Sequence, residues 1–410
     1  MRQAVLVRLL LATTTTSGLA ACDRDVSLLG GGPDGGGGGD AGDARPGDGG
    51  PIACTGLPPI QFPTAGGAVC ASTLSQRAHR FSLCACGDLD LSAGSPVSTD
   101  SFDSSSTASG SGSGPTAAIG VGGTLTASAA ITGGGALYAS TGLAATAGFN
   151  VGPSLRVGGA VVLVSGTGHV AGDAYVAGAI SGILQVDGLL HQPAGVGMSP
   201  PLIPESQTVR EPVSVPNPCD CSGAFVDLGG VITAAQASND DAIAGFPSDS
   251  LATVDAATIV DVTCGTYLLT SINATQTLVI AGHDRALIVV AGDVVVRAGM
   301  TVILDAGAEL DMVVGGRLIA SGGNPIGSAA PARFRLWMAG TDSVVLDDAP
   351  ALGAMLHAPN ATVTASSGLQ VFGGIFARSV TLGGQLVLHY DEAVLTSGAS
   401  CGEPPANPVR

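Results

Sequence analysis

The sequence predicts an all-β protein whose body is a parallel β-solenoid. Three observations point there. Glycine recurs at short, steady intervals in the C-terminal half, at Gly282, Gly292, Gly299, Gly307, Gly315 and Gly322, as strands separated by tight corners require. Between the glycines the hydrophobic period is two. Leu310, Met312 and Val314 alternate with Glu309, Asp311 and Val313, while Phe334, Leu336 and Met338 alternate with Arg333, Arg335 and Trp337, so each strand buries one face. The core must also be built from small side chains, because aromatic residues make up only 3% of a chain that holds 63 glycines. Short strands with glycine corners also permit a β-sandwich. Steady recurrence with small inward residues favours stacked coils, whose edges survive only at the two ends.

At the N-terminus, residues 1–21 have a basic start (Arg2, Arg8), an apolar stretch from Val5 to Ala12, and small residues leading to Leu19-Ala20-Ala21-Cys22. This is the layout of a secretory signal. Its ending resembles the bacterial lipobox, which implies that the Cys22 thiol is acylated and becomes the first residue of the mature protein. Burial of the acyl chains would then hold the protein to a lipid bilayer. Asp23 resembles the signal that retains enteric lipoproteins at the inner membrane, a rule that other bacteria do not all follow. The outer membrane or cell surface is the favoured location.

Residues 22–50 read as a lipidated cysteine and a tether of Gly, Asp, Ala and Pro, which buries too little apolar area to offset chain entropy. Asp34, Asp40, Asp43 and Asp48 lack the nonapeptide register of Gly/Asp calcium repeats. Residues 51–192 form a cysteine-containing cap and a first solenoid segment, rich in Ala, Val and Gly between Ala117 and Leu190. Residues 193–257 are a proline-punctuated connector. Within it Ile232 to Ala244 is predicted to be a short helix, since Ala and Gln dominate and Gly is absent. Residues 258–396 form a second solenoid segment and residues 397–410 a tail.

Nine cysteines less Cys22 leave Cys54, Cys70, Cys84, Cys86, Cys219, Cys221, Cys264 and Cys401. An even number in an exported chain suggests disulfides whose pairing the sequence does not assign. The C-x-C pairs Cys84/Cys86 and Cys219/Cys221 admit a metal as the alternative, but neither has zinc-site spacing with matching histidines. Neither a metal nor a cofactor is expected.

The formal net charge is −17 and all 15 basic residues are arginine. That removes P-loop and Schiff-base lysines and any basic patch for nucleic acid. A mean hydropathy of +0.45 and 11% charged residues exclude a polar disordered chain. For catalysis the carboxylates on offer are Asp305, Glu309, Asp311, Asp347 and Asp348. Strand alternation reads Glu309 and Asp311 as solvated positions on the outer face. One Trp and four Tyr leave little with which to furnish a sugar platform. His79, His169, His191, His283, His357 and His389 are scattered singly. The densest polar clusters are His283-Asp284 and His389-Tyr390-Asp391-Glu392. Tyr390 shares register with Leu386 and Leu388, so the second cluster reads as a strand whose polar groups cap the final coil, with a ligand site as the alternative. Serine-hydrolase and dinucleotide fingerprints are absent from the sequence.

Three stretches carry a resemblance. Cys86-Gly87-Asp88 leading to Thr99-Asp100-Ser101-Phe102-Asp103-Ser104, then Ala358-Pro359-Asn360-Ala361, then His389-Tyr390-Asp391-Glu392 resemble an uncharacterised β-helical domain family of bacterial lipoproteins and exported proteins similar to pilus-assembly components. Some of its members are similar to bactofilin-like solenoids that form polymers. The likeness spans residues 84–396 and implies a fold, with no catalytic residues attached. The expected function is therefore a membrane-anchored envelope protein with a structural, adhesive or scaffolding role. Its partners would be the bilayer and an envelope protein, a polysaccharide or itself. The alternatives are a β-helical polysaccharide lyase or hydrolase, and an accessory factor for pilus or secretion assembly.

Overall fold

Strands form where small and branched side chains alternate, and the alternation shows directly in burial. Leu137, Leu155, Ala174 and Leu190 point inward on successive turns, while Tyr138, Arg156, Tyr175 and His191 point out. The computed structural model describes residues 60–106, 117–199, 207–222, 225–348 and 351–397. Cys22, Cys54, Cys401, the signal and tether segments and nearly all of the tail lie outside them. Among the described residues 31 strands join one sheet, and the pairings between them are parallel, as in a β-solenoid. The hairpin of Gln61–Thr64 with Gly67–Cys70 is antiparallel and stands apart.

The two segments differ in girth. In the N-terminal segment Ile119 stacks on Leu137 and Leu137 on Leu155, a repeat of 18 residues. At the widest part of the C-terminal segment Met300 stacks on Ile326 and Ile326 on Leu352, a repeat of 26. Girth follows side-chain volume. The narrow coils are filled by residues such as Ala127, Ala139 and Val157, the wide ones by Met312, Phe334, Leu336 and Met338.

The segments stack in an order that the chain does not follow. Strand Leu369–Leu382 pairs with Leu83–Ala85, and strand Leu386–Asp391 pairs with Val97–Phe102 in register from Leu386↔Val97 to Asp391↔Phe102. One solenoid therefore begins near Thr258, reaches Asp391, continues at Leu83 and ends at Thr208–Arg210. The connector links its last turn to its first. At the junction two disulfides tie the connector to the stack, Cys84 to Cys219 and Cys86 to Cys221. Cys70 and Cys264 are also disulfide-bonded.

The helix of the connector begins earlier than its composition predicts. It spans Leu228–Ala237, capped by the Asp227 carboxylate, which accepts from Gly230 N at 2.9 Å. It stops at extended Ser238, and a separate turn forms over Asp241–Ala244. Two glycines in its first turn are tolerated because Leu228, Val231 and Ala235 are buried.

Those residues belong to a second core. The outer faces of the strands around residues 285–338 carry Leu287, Val289, Val313 and Trp337. Phe62, Leu74, Phe225, Leu228 and Val231 cover them. Strands Arg285–Val290, Glu309–Val314 and Phe334–Met338 are consequently buried on both faces.

Candidate functional site

The second core corrects one expectation at once. Glu309 and Asp311 do lie on the outer face, yet they are not solvated: Asp311 is fully buried and Glu309 nearly so, beneath the helix Ala71–Ala78 and Ile60. Arg335, 2% exposed, stands one turn on. Its Nε and Nη2 donate to the two Asp311 oxygens at 2.7 Å each, Nη2 reaches Glu309 at 2.8 Å, and the Trp337 indole donates to Asp311 at 2.8 Å. Burial pushes the Glu309 carboxyl up, but the charge and hydrogen bond of Arg335, with Arg285 and Arg333, bring it below the usual range. The cluster anchors the cap and is closed to any substrate.

A larger concavity lies elsewhere. It is a groove of about 720 Å³ lined chiefly by apolar surface, and one outward column of side chains builds it. Thr301 stacks on Gly327, Gly327 on Gly353, Gly353 on Phe372, Phe372 on His389, and His389 on Asp100. Parallel strands put these residues one turn apart, so five steps of about 4.8 Å make a column of about 24 Å. The hollow is a consequence of the two glycines. Gly327 has φ of +118°, and a Cβ there would lie 2.1 Å from the Gly353 carbonyl oxygen; at Gly353 it would lie 2.5 Å from that of Ser328. Neither position admits a side chain.

At one end of the hollow the Phe372 ring stacks on His389 with centroids 4.6 Å apart and planes at 22°, and Phe102 meets Phe372 edge-on at 6.2 Å. The Gln370 amide donates to His389 Nε2 at 2.9 Å, so Nδ1–H donates to Asp100, 2.6 Å away. Both ring nitrogens are engaged. Asp103, exposed, completes the rim.

Of the four residues singled out at the end of the solenoid, the strand alternation sends only His389 into this groove. Tyr390 is buried and donates to the His79 carbonyl at 2.6 Å; burial, with Asp391 and Glu392 nearby, raises its hydroxyl above the ordinary value. Asp391 is buried and accepts from Ser104 N and Oγ, Ala332 N and Ala393 N, at 2.6 to 3.2 Å. Glu392 accepts from Ser101 Oγ at 2.5 Å. These bonds seal the junction between the two segments, a coil in the middle of the stack rather than its end. Asp100, Phe102, Gln370 and Phe372 were not singled out as a site by sequence reasoning. Only the cross-strand register unites them.

The other histidines divide by position. His169 pairs with Asp187 at 3.1 Å, His191 with Glu211 at 2.7 Å and His283 with Asp305 at 2.8 Å, exposed contacts between neighbouring turns worth little individually. The Asp305 hydrogen bond raises the His283 pKa. His79 and His357 are buried. Burial lowers His79 to about 4, although its nitrogens lie against the Leu356 and Ser75 carbonyls. His357 is held well below the ordinary value by burial, then by His79. Among the described residues no group of three or more His, Cys, Asp or Glu side chains is placed to hold a metal ion, and no helix is long and apolar enough to cross a membrane.

Comparison with known proteins adds a family match for part of the chain. No curated protein and no solved structure gives a match. Residues 228–396 match the model of a domain of unknown function, DUF7305, a span that contains Thr301, Gly327, Gly353, Phe372 and His389 of the groove and leaves Asp100 and Phe102 outside it.

Proposed function

We propose that this chain is an exported lipoprotein, anchored in the cell envelope through acylated Cys22, that presents a stiff solenoid as a binding and scaffolding surface. The anchor rests on the Leu-Ala-Ala-Cys ending of the signal and on the Gly/Asp tether behind it. The observation that carries the binding role is the groove. Its glycine floor is held rigid by parallel pairing on both sides, and its one imidazole has both nitrogens committed, Nδ1 to Asp100 and Nε2 to Gln370. Such a surface holds a partner in place. A general base, by contrast, needs a nitrogen that can reach the proton to be removed.

Protease treatment of intact cells followed by fractionation, with the native protein beside Cys22→Ala, tests the reading. Removal of the body from intact cells, and release of the mutant from membranes, are the expected results. Retention of the mutant in the membrane fraction would overturn the anchor, and full protection of the body would overturn display at the surface.

A further inference from the structure

Flat side chains in this solenoid stack on one another from turn to turn. Tyr175 lies on His191 with centroids 4.2 Å apart and planes at 10°, the Arg156 guanidinium sits over Tyr175 at 4.6 Å, and Phe372 lies on His389. The Phe372 column is where such a stack stops. One face of the Phe372 ring is covered by His389; beyond the other, the next two positions are Gly353 and Gly327, and the next side chain is Thr301. Phe372 and Thr301 are three steps apart, so the slot between them is about 14 Å long. A ring face therefore looks into a slot that no residue of the column can fill.

The rim narrows what fits. Acceptors predominate among its polar groups, the carboxylates of Asp100 and Asp103 and the amide carbonyl of Gln370, whose NH₂ is given to His389, while Thr301 and Ser328 add hydroxyls that can donate or accept. A matching ligand presents one apolar ring face and several hydroxyl donors at its edge. It carries no negative charge, since the chain is at −17 and the rim is acidic. A pyranose ring has that distribution: C–H bonds on its face, hydroxyls around its edge. An aromatic peptide side chain would satisfy the stack and leave the acceptors unmet.

We propose that the groove binds a neutral, hydroxyl-rich glycan, with one pyranose ring seated on the open face of Phe372 above Gly353 and Gly327. This rests on the reading of the groove as a binding surface and names its ligand class. The test is calorimetric titration of the mature chain with neutral hexasaccharides (cello-, malto- and chito-) and with hexagalacturonate as the acidic comparison. Variants are Phe372→Ala, Thr301→Trp, which fills the slot from its far end without touching Phe372, and Tyr175→Ala as a control on a distant column. The expected result is binding of at least one neutral hexasaccharide, weakened about tenfold or more by either groove variant, unchanged by Tyr175→Ala, with hexagalacturonate much weaker. The proposal is overturned if no neutral hexasaccharide binds with a dissociation constant below about 10 mM, if both groove variants bind as the native chain does, or if hexagalacturonate binds best. A surface-displayed protein that binds none of the panel loses this inference and keeps the display reading. A protein that binds at Phe372 yet is protected in intact cells does the reverse.

Discussion

Replacing His357 by Phe is expected to stabilise the protein, and to do so more at acid pH. The imidazole is 1% exposed and neither Nδ1 nor Nε2 has a hydrogen-bond partner. It is enclosed by rings, with Phe376 at 4.8 Å, Trp337 at 5.1 Å and Phe225 at 5.2 Å. A buried polar group without a partner costs about 1–3 kcal/mol. A phenyl ring removes that cost and keeps the aromatic contacts, and its extra volume has room in the adjoining cavity of about 170 Å³ between Phe225, Met338 and Pro359. The gain at pH 7.5 should be about 1–2 kcal/mol. Acid enlarges it. Burial depresses the pKa of His357 in the folded state, so below about pH 6.5 the unfolded chain takes up a proton that the folded chain refuses. The native protein thus loses about 1.4 kcal/mol per pH unit from this residue while the pH lies between the two values, and the variant does not. Guanidinium unfolding followed by fluorescence of Trp337, the only tryptophan, reports the site directly. A variant less stable than the native chain by more than about 1 kcal/mol, or an equal gap at pH 7.5 and pH 5.5, would refute the reasoning and point to a polar partner held in that cavity.

His79 has a depressed folded value of about 4, so the native chain should lose up to about 3 kcal/mol from this group alone between pH 6.5 and 4, a loss that melts across that range should show and that His79→Gln should remove. Each disulfide at the junction closes a loop of 135 residues, worth about 5 kcal/mol in the chain-entropy model; because the two bridge almost the same points, losing Cys86–Cys221 alone should cost far less than losing both, as unfolding of the double and quadruple Cys→Ser variants would show. Arg335→Met leaves Asp311 and Glu309 charged and enclosed, at an expected cost of about 3–5 kcal/mol, and a variant with less than about 1 kcal/mol of loss would mean that the cluster is wet. Tyr390→Phe removes one buried bond to the His79 carbonyl and should cost about 1 kcal/mol in the same unfolding assay.

The fold class was legible because a solenoid writes its core into local pattern: glycine corners and period-two burial are properties of single strands. The smaller residues of the first segment were legible, but the narrower coil that they build was not drawn from them. The stacking order was not legible. Nothing local in Leu83–Ala85 says that its neighbour is Ile375–Ala377, since parallel pairing between segments is set by complementary end coils and by the covalent ties at Cys84 and Cys86. The mistake over Glu309 and Asp311 has the same origin. Alternation tells which face a residue takes, but whether that face meets water depends on a cap recruited from Ile60 to Ala78, far away in the chain.

The same physics explains why the groove escaped a reading by motif. In a helix or a hairpin, chemical neighbours are a few residues apart, so a cluster in sequence is a fair guide to a cluster in space. In a solenoid, adjacent residues on one strand diverge to opposite faces, while true neighbours recur once per turn. His389-Tyr390-Asp391-Glu392 is dense in sequence and is dispersed by alternation, with one member in the groove and three in the junction. Asp100 and His389 are 289 residues apart and in contact. A site on such a scaffold is a column, and its signature is a register of residues at intervals of one coil. Because coil length here varies at least from 16 to 26 residues, that register becomes readable only once the stacking order is known. A glycine within a column then carries as much information as a polar residue, since it marks where the scaffold withholds a side chain and leaves a ring face open.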